Sequence, residues 1–379
     1  MNIVSLIKKV CLPATLWMLL SMAGSQQAYA FNCSLSNVYG AINAVVPLQS
    51  SNLTIGPDVP AGTIIYQQYF KPNRKTVVNC TGNTTIYQPV IQWSYSNQPS
   101  PSGWSGNGFS RVYETGIPGI GIAIYTFKSP SFSVPFDYAA WQDEVTETTM
   151  GWVAQEGSIE FDIVLIKTGN ISPGTLNGSQ LPQLQYNFTA QNISPITMGT
   201  LRFTGTINIV SQTCQTPDVV NVPMGDYKVK DYFTGKGKTT EWKDATISLT
   251  DCPQFHGILS DGRNTWYTDN NNNGIGAITN NILTLKLSPN TTPVNSASGI
   301  LGLTSGTDSA TGVGIQMAYG STSDNSHELV DFDVSKNYTM QSNATGSQSM
   351  PLVARYIQTD STVTPGKANA TVTFTINYY

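Results

Sequence analysis

The chain has 379 residues, of which only 11% are charged and 40% are hydrophobic. Soluble domains carry roughly 25% charged residues, so this chain is poor in charge but apolar enough to build a core, which excludes a disordered protein. The net charge of −4 gives no reason to expect nucleic acid or anionic lipid as a partner.

The first thirty residues have the pattern of a secretory signal peptide. Lys8 and Lys9 precede a short apolar stretch, and the small-residue pattern "AYA" ends the segment at residue 30. A basic start, a short apolar run and an A-x-A-like site are typical of a signal peptide, whereas a membrane-spanning helix needs about 20 apolar residues. We therefore predict that residues 1–30 are removed and that the mature chain begins at Phe31.

The cysteines predict two disulfide-bonded halves. After Cys11 is lost with the signal, four cysteines remain, an even number in an oxidising compartment. Four cysteines permit three pairings, and the spacing favours the two that stay within one half, Cys33 with Cys80 and Cys214 with Cys252. A zinc site is the competing interpretation, but the chain lacks the C-x-x-C spacing and histidine companions of such a site.

Short strand-like runs occupy both halves in chain order. The first half contains "AGTIIYQQYF", "TTIYQPVIQWSYS", "GIGIAIYTF", "SIEFDIVLIKTGN" and "RFTGTINIV". The second half contains "DATISLTDC", "NILTLKLS", "MPLVARYIQT" and "ATVTFTINYY". Such β-branched and aromatic runs, separated by turn-forming residues and without any helical stripe, predict an all-β protein built of sandwiches or barrels. We place the boundary between two domains near Val210.

The last run raises a question of pairing. Apolar side chains occupy the even positions from Ala370 to Tyr378, and polar ones occupy most of the odd positions. This alternation is typical of a half-buried strand. No further run follows it in this sequence, which raises the question of what this strand lies beside.

From Cys214 onward, the sequence resembles the pilin domains of bacterial chaperone–usher fimbriae. The resemblance rests on the two cysteines, on "GKGKTTEWKDATISLTDC" and on "ARYIQTDSTVTPGKANATVTFTINYY". It implies an incomplete Ig-like sandwich that lacks its last strand, with an open groove beside Phe374, Ile376 and Tyr378. A periplasmic chaperone would fill this groove first, and a strand from an adjacent pilin or adaptor subunit would replace it after passage to the outer-membrane usher.

The order of segments resembles the two-domain tip adhesins of the type 1 pilus family. A signal peptide, a Phe-x-Cys start and a whole disulfide-bonded domain precede the pilin half, where a shaft subunit carries a short donor extension. The resemblance implies a lectin domain of elongated jelly-roll or Ig-like β-barrel type at residues 31–210. The pilin domain would span residues 211–379, and the protein would pass through the periplasm to the fimbrial tip on the cell surface.

The resemblance to this family also suggests which residues of this chain bind the receptor, because they occupy the matching positions. The resemblance implies a pocket formed by Phe31, the loop after the second cysteine with Asn83, and a later loop with Lys167, Thr168 and Asn170. The chain lacks the adjacent Asn-Asp of the mannose binder. We therefore expect the receptor to be a host or surface glycan or a glycoprotein, and the sequence does not identify the sugar.

Aromatic residues give a second set of candidates. Trp104 lies in the turn-rich "PSPSGWSGNGFS", and Trp141 and Asp143 lie in "AAWQDE". Sugar faces stack on exposed aromatic rings, whereas a tryptophan within an apolar strand, such as Trp93, is typical of a core. Trp104, Trp141 and Asp143 therefore join the predicted ligand-binding residues.

Catalytic and metal motifs are weak throughout the chain. His256 and His327 have no nucleophile and acid at a recognisable spacing. The segment "DNNNNGIGAITN" begins like a calcium loop, but Asn280 stands where a bidentate Glu is needed, so a polar hairpin loop is the better interpretation. We predict an adhesin without enzymatic activity, cofactor or metal. The alternatives are a non-lectin structural tip subunit and an adhesin for a protein receptor.

Overall fold

The structure is a computed structural model. It describes residues 32–49, 52–81, 89–145, 149–154, 159–190, 193–342 and 344–379, with only the backbone of residues 141–145 and 149–154. The predicted signal peptide, Phe31 and Asn83 lie outside the described residues.

Strands dominate both halves of the described chain. In the N-terminal half these are β1 (Asn32–Leu35), β2 (Ile42–Pro47), β3 (Asn52–Thr54), β4 (Ile64–Phe70), β5 (Thr76–Thr81), β6 (Val90–Tyr95), β7 (Tyr113–Glu114), β8 (Ile120–Tyr125), β9 (Phe136–Ala139), β10 (Trp141–Val145), β11 (Thr149–Ala154), β12 (Phe161–Lys167), β13 (Gly174–Asn177), β14 (Leu184–Thr189), β15 (Ile196–Thr204) and β16 (Thr206–Val210). Two 3₁₀ turns, at Pro130–Phe132 and Gly178–Gln180, interrupt them.

The C-terminal half adds short and long strands with little helix. Its strands are β17 (Lys243–Asp244), β18 (Ile247–Cys252), β19 (Trp266–Tyr267), β20 (Asn273–Gly274), β21 (Ile282–Pro289), β22 (Ile300–Leu301), β23 (Val313–Tyr319), β24 (Glu328–Leu329), β25 (Lys336–Thr339), β26 (Gly346–Met350), β27 (Leu352–Gln358) and β28 (Val372–Tyr378). The one-turn helix α1 (Val229–Tyr232) and a 3₁₀ turn at Gly262–Asn264 complete it. No described helix is long and apolar enough to cross a membrane.

The strands of the N-terminal half form four open sheets, most of whose buried residues belong to one large core. Their orders are β1-β5-β11-β10, β13-β16-β3, β2-β15-β14-β6-β9 and β4-β12-β8-β7, and none of them closes into a barrel within the described residues. Trp93 is fully buried in this core, with its ring 4.4 Å from those of Phe161 and Tyr186. The prediction of an all-β fold is confirmed, and Trp93 is a core residue as predicted.

One predicted strand is divided in two by a glycine. The run "RFTGTINIV" forms the end of β15 and all of β16, and Gly205 between them has φ of 84°. A residue with a side chain adopts this left-handed conformation at a cost, so Gly205 breaks the strand where the pattern predicted continuity. Phe203, Ile207 and Ile209 are nevertheless all buried.

A second core lies within the C-terminal half. Its sheets have the orders β17-β27-β23-β22, β18-β26 and β25-β21-β28, and β24 also pairs with β23. Leu249, Leu283, Leu285 and Leu352 are among its buried residues. The C-terminal half therefore packs as a small sandwich of short antiparallel sheets.

Both predicted disulfides are present. Cys33 bonds Cys80 across 47 residues, and Cys214 bonds Cys252 across 38 residues. Closing loops of this length removes entropy from the unfolded chain and stabilises each half by about 4 kcal/mol in the chain-entropy estimate.

A segment of the C-terminal half, residues 257–274, packs along the N-terminal half and is called the arm below. Gly257 accepts a bond from Thr54 of β3 at 3.0 Å, and β19 runs parallel to the end of β4. β20 then pairs with β19 as the predicted polar hairpin, so the sheet that contains β4 is six-stranded, in the order β20-β19-β4-β12-β8-β7. Leu259 and Tyr267 of the arm are buried in the N-terminal core. The two cores are thus joined beyond the chain connection near Val210.

Candidate functional site

The terminal strand β28 pairs with β21 on one side. The pairing runs antiparallel from Leu283 opposite Tyr378 to Pro289 opposite Val372. Beyond the two ends of the ladder, Asn290 donates to the carbonyl of Thr371 and Tyr379 exchanges two bonds with Ile282. Because backbone groups alternate between the two edges of such a ladder, odd-numbered residues face β21 and even-numbered residues from 372 to 378 face the outer edge.

The outer edge of β28 has no partner strand among the described residues. β28 is the last strand in the sheet order β25-β21-β28. The backbone N–H and C=O groups of Val372, Phe374 and Ile376 point to this edge. A row of such groups is a ready template for a strand from another chain. This edge therefore answers the question of pairing that the sequence raised.

An apolar groove borders this edge. It holds a cavity of about 430 Å³ lined by residues from both faces of the sandwich, including Val220, Val222, Ile247, Leu287, Met317 and Phe374. A second cavity of about 860 Å³ continues from it toward the turn at Gly366. The two cavities share Val222, Met224, Ala368 and Asn369, so together they form one elongated groove.

The three predicted groove residues lie on the expected strand but differ in their contacts. Phe374 lines the cavity. Ile376 is half-buried against the same core, and Tyr378 is buried in it at 6% exposure, without either being part of the cavity wall. Val372, which was not singled out from the sequence, lines the cavity beside Phe374.

A loop of the N-terminal half closes the edge at Tyr378. The backbone N–H of Tyr378 donates to Asp58 Oδ2 at 2.8 Å, and the N–H of Asp58 donates to the Tyr378 carbonyl at 3.2 Å. A Cβ placed on Gly56 would lie 2.0 Å from the Tyr378 carbonyl oxygen, so only glycine allows this approach. Both outward-facing backbone groups of Tyr378 are therefore already occupied.

Lys167 holds this loop in place, and its role as a ligand residue stays a prediction. It is 3% exposed, and its ammonium donates to the carbonyls of Gly56 at 3.1 Å and Pro57 at 2.6 Å. Burial lowers the pKa of Lys167, and the nearby Asp58 carboxylate opposes that effect. Two of the three N–H donors of this ammonium are therefore bonded to backbone carbonyls inside the protein.

The neighbours of Lys167 are placed at the same end of β12. The N–H of Thr168 donates to the carbonyl of Gly119 at 2.8 Å, and Asn170 is exposed. Trp104 is half-buried, and a Cβ on Gly62 would lie 3.0 Å from its ring. Gly62 itself donates to the carbonyl of Lys167. Trp104 packs against a small apolar cluster of the N-terminal half, and the ligand roles of Trp104, Thr168 and Asn170 stay predictions.

The other predicted receptor residues adjoin a different sheet. Asn32 pairs with Thr81, and Thr81 pairs with Thr149, so β1, β5 and β11 meet side by side there. Phe31 and Asn83, outside the described residues, adjoin this edge through the chain. β12 lies in another sheet and pairs with none of these three strands. The grouping of Phe31 and Asn83 with Lys167 stays a prediction, because the first two lie outside the described residues.

Trp141 and Asp143 are placed only by their backbone. Both lie in β10, where Trp141 pairs with Val153 of β11. Their side chains lie outside the described residues, so their binding role stays a prediction.

An ion-pair cluster that sequence reasoning missed fixes the arm. Arg263 of the arm donates to both oxygens of Asp162, at 2.5 and 3.2 Å, and to Glu160 at 3.1 Å. Its guanidinium also stacks over the ring of Tyr69 at 4.0 Å. Asp162 is 1% exposed within a fully buried strand. An acid in the middle of the apolar run "FDIVLI" needs a buried partner, and that was the available signal.

The C-terminal half matches a known protein family. The family model described as "Fimbrial protein" aligns with residues 201–379. These residues are similar to fimbrial proteins. The match begins within β15, ten residues before the predicted domain boundary at 211. Fimbrial adhesins are a structural and adhesive class of proteins and not an enzymatic one.

The chain as a whole also has relatives. A curated "Fimbria adhesin protein" of Klebsiella pneumoniae is 26% identical over 370 residues, covering 96% of this chain and 98% of that protein. Among solved structures, the CupB6 tip adhesin from Pseudomonas aeruginosa is 16% identical, with 91% and 94% of the two chains covered and a TM-score of 0.35. The receptor-binding domain of the plasmid-borne adhesin MrkD1P of Klebsiella pneumoniae is 23% identical, covers 49% of this chain and 98% of its own, and has a TM-score of 0.33.

The family match and the curated relative both test the resemblance to fimbrial adhesins that the sequence predicted. The first covers the pilin-like half, and the second spans nearly the whole chain. The predicted resemblance to fimbrial adhesins of the chaperone–usher class is confirmed at this level.

Proposed function

We propose that this protein is a tip adhesin that binds a receptor through residues 31–210 and joins the fibre through residues 211–379. The observation that carries the proposal is the open outer edge of β28 beside an apolar groove. The signal peptide, residues 1–30, takes the chain to the periplasm. There a chaperone covers the groove until the outer-membrane usher passes the chain to an adjacent subunit.

The groove has the chemistry that a donated strand requires. A partner strand with alternating apolar residues pairs its backbone with the outer edge of β28 and places its side chains against Leu287, Met317 and Phe374. Each fully buried apolar side chain contributes about 1.5–3 kcal/mol, so four of them contribute on the order of 10 kcal/mol before the entropy of ordering the strand is subtracted. Left uncovered, the same edge promotes aggregation, which gives the chaperone its role.

A charge placed in the groove is expected to abolish chaperone capture. Phe374→Glu puts a carboxylate into the apolar cavity, where burial without a partner is costly. The matched control is Thr375→Glu, because Thr375 is exposed on the opposite face of the same strand and pairs with Lys286. The measurement is the yield of the full chain captured by the tagged chaperone of its own gene cluster. We expect roughly a tenfold or greater loss for Phe374→Glu. Equal yields for the two variants would contradict the groove assignment.

The receptor is proposed to be a host or surface glycan. A glycan array with the mature full chain, starting at its native Phe31, is expected to give a hit that free sugar inhibits. Asn83→Ala and Asn170→Ala then separate the two ends of the candidate region, since Asn83 adjoins the strand end at Thr81 and Asn170 follows β12. A blank array from folded protein would favour the alternatives, a protein receptor or a non-lectin tip subunit.

A further inference from the structure

We propose that the N-terminal half closes one end of the groove, so that Asp58 sets the position where the partner's strand must stop. This inference rests on the proposed function, in which a partner strand pairs with β28. It adds the register of that pairing. The partner is an extended segment with alternating apolar residues. It pairs with Val372, Phe374 and Ile376, and it ends or turns away before Tyr378.

The first argument is that Asp58, called the stop below, already bonds the backbone groups of Tyr378 that a partner strand would use. A strand added to the outer edge would bond the N–H and C=O groups of every second residue of β28. At Tyr378 both groups already bond the backbone and side chain of Asp58, at 3.2 and 2.8 Å. A partner strand runs about 4.8 Å from its neighbour, and the loop at Gly56–Asp58 fills that space.

The second argument is that the loop is held firmly. Lys167 bonds the carbonyls of Gly56 and Pro57, and Val59 donates to the carbonyl of Gly56 at 3.3 Å. Moving the loop aside would leave a buried ammonium without its acceptors, which is costly in a site of low polarity. The partner strand therefore adjusts to the loop, and the loop stays in place.

The third argument is that the opposite end of the groove is open. The second cavity extends past Ala368 and Asn369 to the turn at Gly366 and to Val313. Pairing from Val372 to Ile376 spans about 13 Å at 3.3 Å per residue. Additional partner residues therefore extend over this second cavity, and none extends past Tyr378.

Amide hydrogen exchange of the full chain tests the stop. The chain is purified with its chaperone, which is then displaced by excess synthetic peptide of nine alternating valine and threonine residues with a lysine tail. Exchange is measured at single-residue resolution with the peptide bound and after it is washed out. We expect peptide binding to protect Val372, Phe374 and Ile376, and we expect Tyr378 to be protected with or without peptide.

Asp58 variants give the decisive comparison. In Asp58→Ala, the amide of Tyr378 is expected to exchange roughly tenfold faster without peptide, because a bond to a charged acceptor is lost, and to become slow only when peptide extends over it. Asp58→Asn keeps an acceptor oxygen and is expected to retain the wild-type pattern. Asp333→Ala, at an exposed position of the C-terminal half, is the control.

The outcomes separate this inference from the function on which it rests. If residues 372–376 gain protection but Tyr378 exchanges equally slowly in Asp58→Ala and wild type, the stop is wrong while strand acceptance stands. If the peptide protects none of Val372, Phe374 and Ile376, strand acceptance itself is wrong and the stop fails with it.

Discussion

Replacing Arg263 by methionine is expected to lower the free energy of unfolding by about 3–5 kcal/mol, the range measured when one partner of a buried ion pair is removed. The variant leaves Asp162, which is 1% exposed, with only the side-chain amide of Gln67 at 3.2 Å as a described donor. Methionine keeps most of the packing over Tyr69. The loss therefore reports the uncompensated carboxylate and not a cavity.

The measurement is urea unfolding of the full chain with both disulfides intact. Arg355→Met is the matched control, because Arg355 also stacks on an aromatic ring, that of Trp242, at 4.0 Å, but bonds the neutral Gln316. We expect a loss of about 1 kcal/mol for the control. Adding Asp162→Asn to Arg263→Met is expected to recover part of the stability. Equal losses for the two arginine variants would contradict a buried ion pair.

The N-terminal half without the arm is expected to aggregate or to be destabilised by several kcal/mol. Residues 31–210 alone lose the hydrogen bonds from Gln67, Tyr69 and Lys71 to arm carbonyls, at 2.8, 2.8 and 2.9 Å. They also lose the buried Leu259 and Tyr267. The exposed edge of β4 and the uncompensated Asp162 both disfavour the isolated half.

Returning the arm to this fragment is the control. Val210 and Gly257 accept bonds from the adjacent residues Ile55 and Thr54, so a flexible linker of about six Gly and Ser residues joins residue 210 to the arm. The fragment that carries residues 257–274 is expected to be monomeric by sedimentation and to unfold at higher urea than residues 31–210. If both fragments are equally soluble and stable, the arm does not complete the N-terminal fold.

Local patterns predicted the strands and disulfides because their signals lie within a few residues. The runs that became β4, β8, β12, β21 and β28 are long and β-branched, so their existence needed no tertiary information. The cysteine spacing likewise predicted both disulfides. Even the hairpin of β19 and β20 was expected from its asparagine-rich turn.

Those local patterns could not predict which distant segments of the chain lie against each other. β19 is a strand of two residues, Trp266–Tyr267, and nothing local indicates that it extends a sheet some two hundred positions earlier in the chain. Lys167 is the last residue of a fully buried strand, and family position suggested a surface ligand where the structure shows an internal donor. The open edge of β28 was the exception, because the resemblance to pilin domains supplied what local reasoning could not.

The double attachment between the halves has a mechanical consequence. Under the proposed function, tension enters at β28 and leaves at the receptor. The covalent route crosses the short segment after Val210, but the bonds of Asp58 to Tyr378 and the whole arm span the same junction side by side. Interactions arranged in parallel share a load, so the two halves separate only when the arm and the Asp58 bonds fail together. Under the proposed function, a load on β28 therefore reaches the N-terminal half through these contacts as well as through the covalent segment.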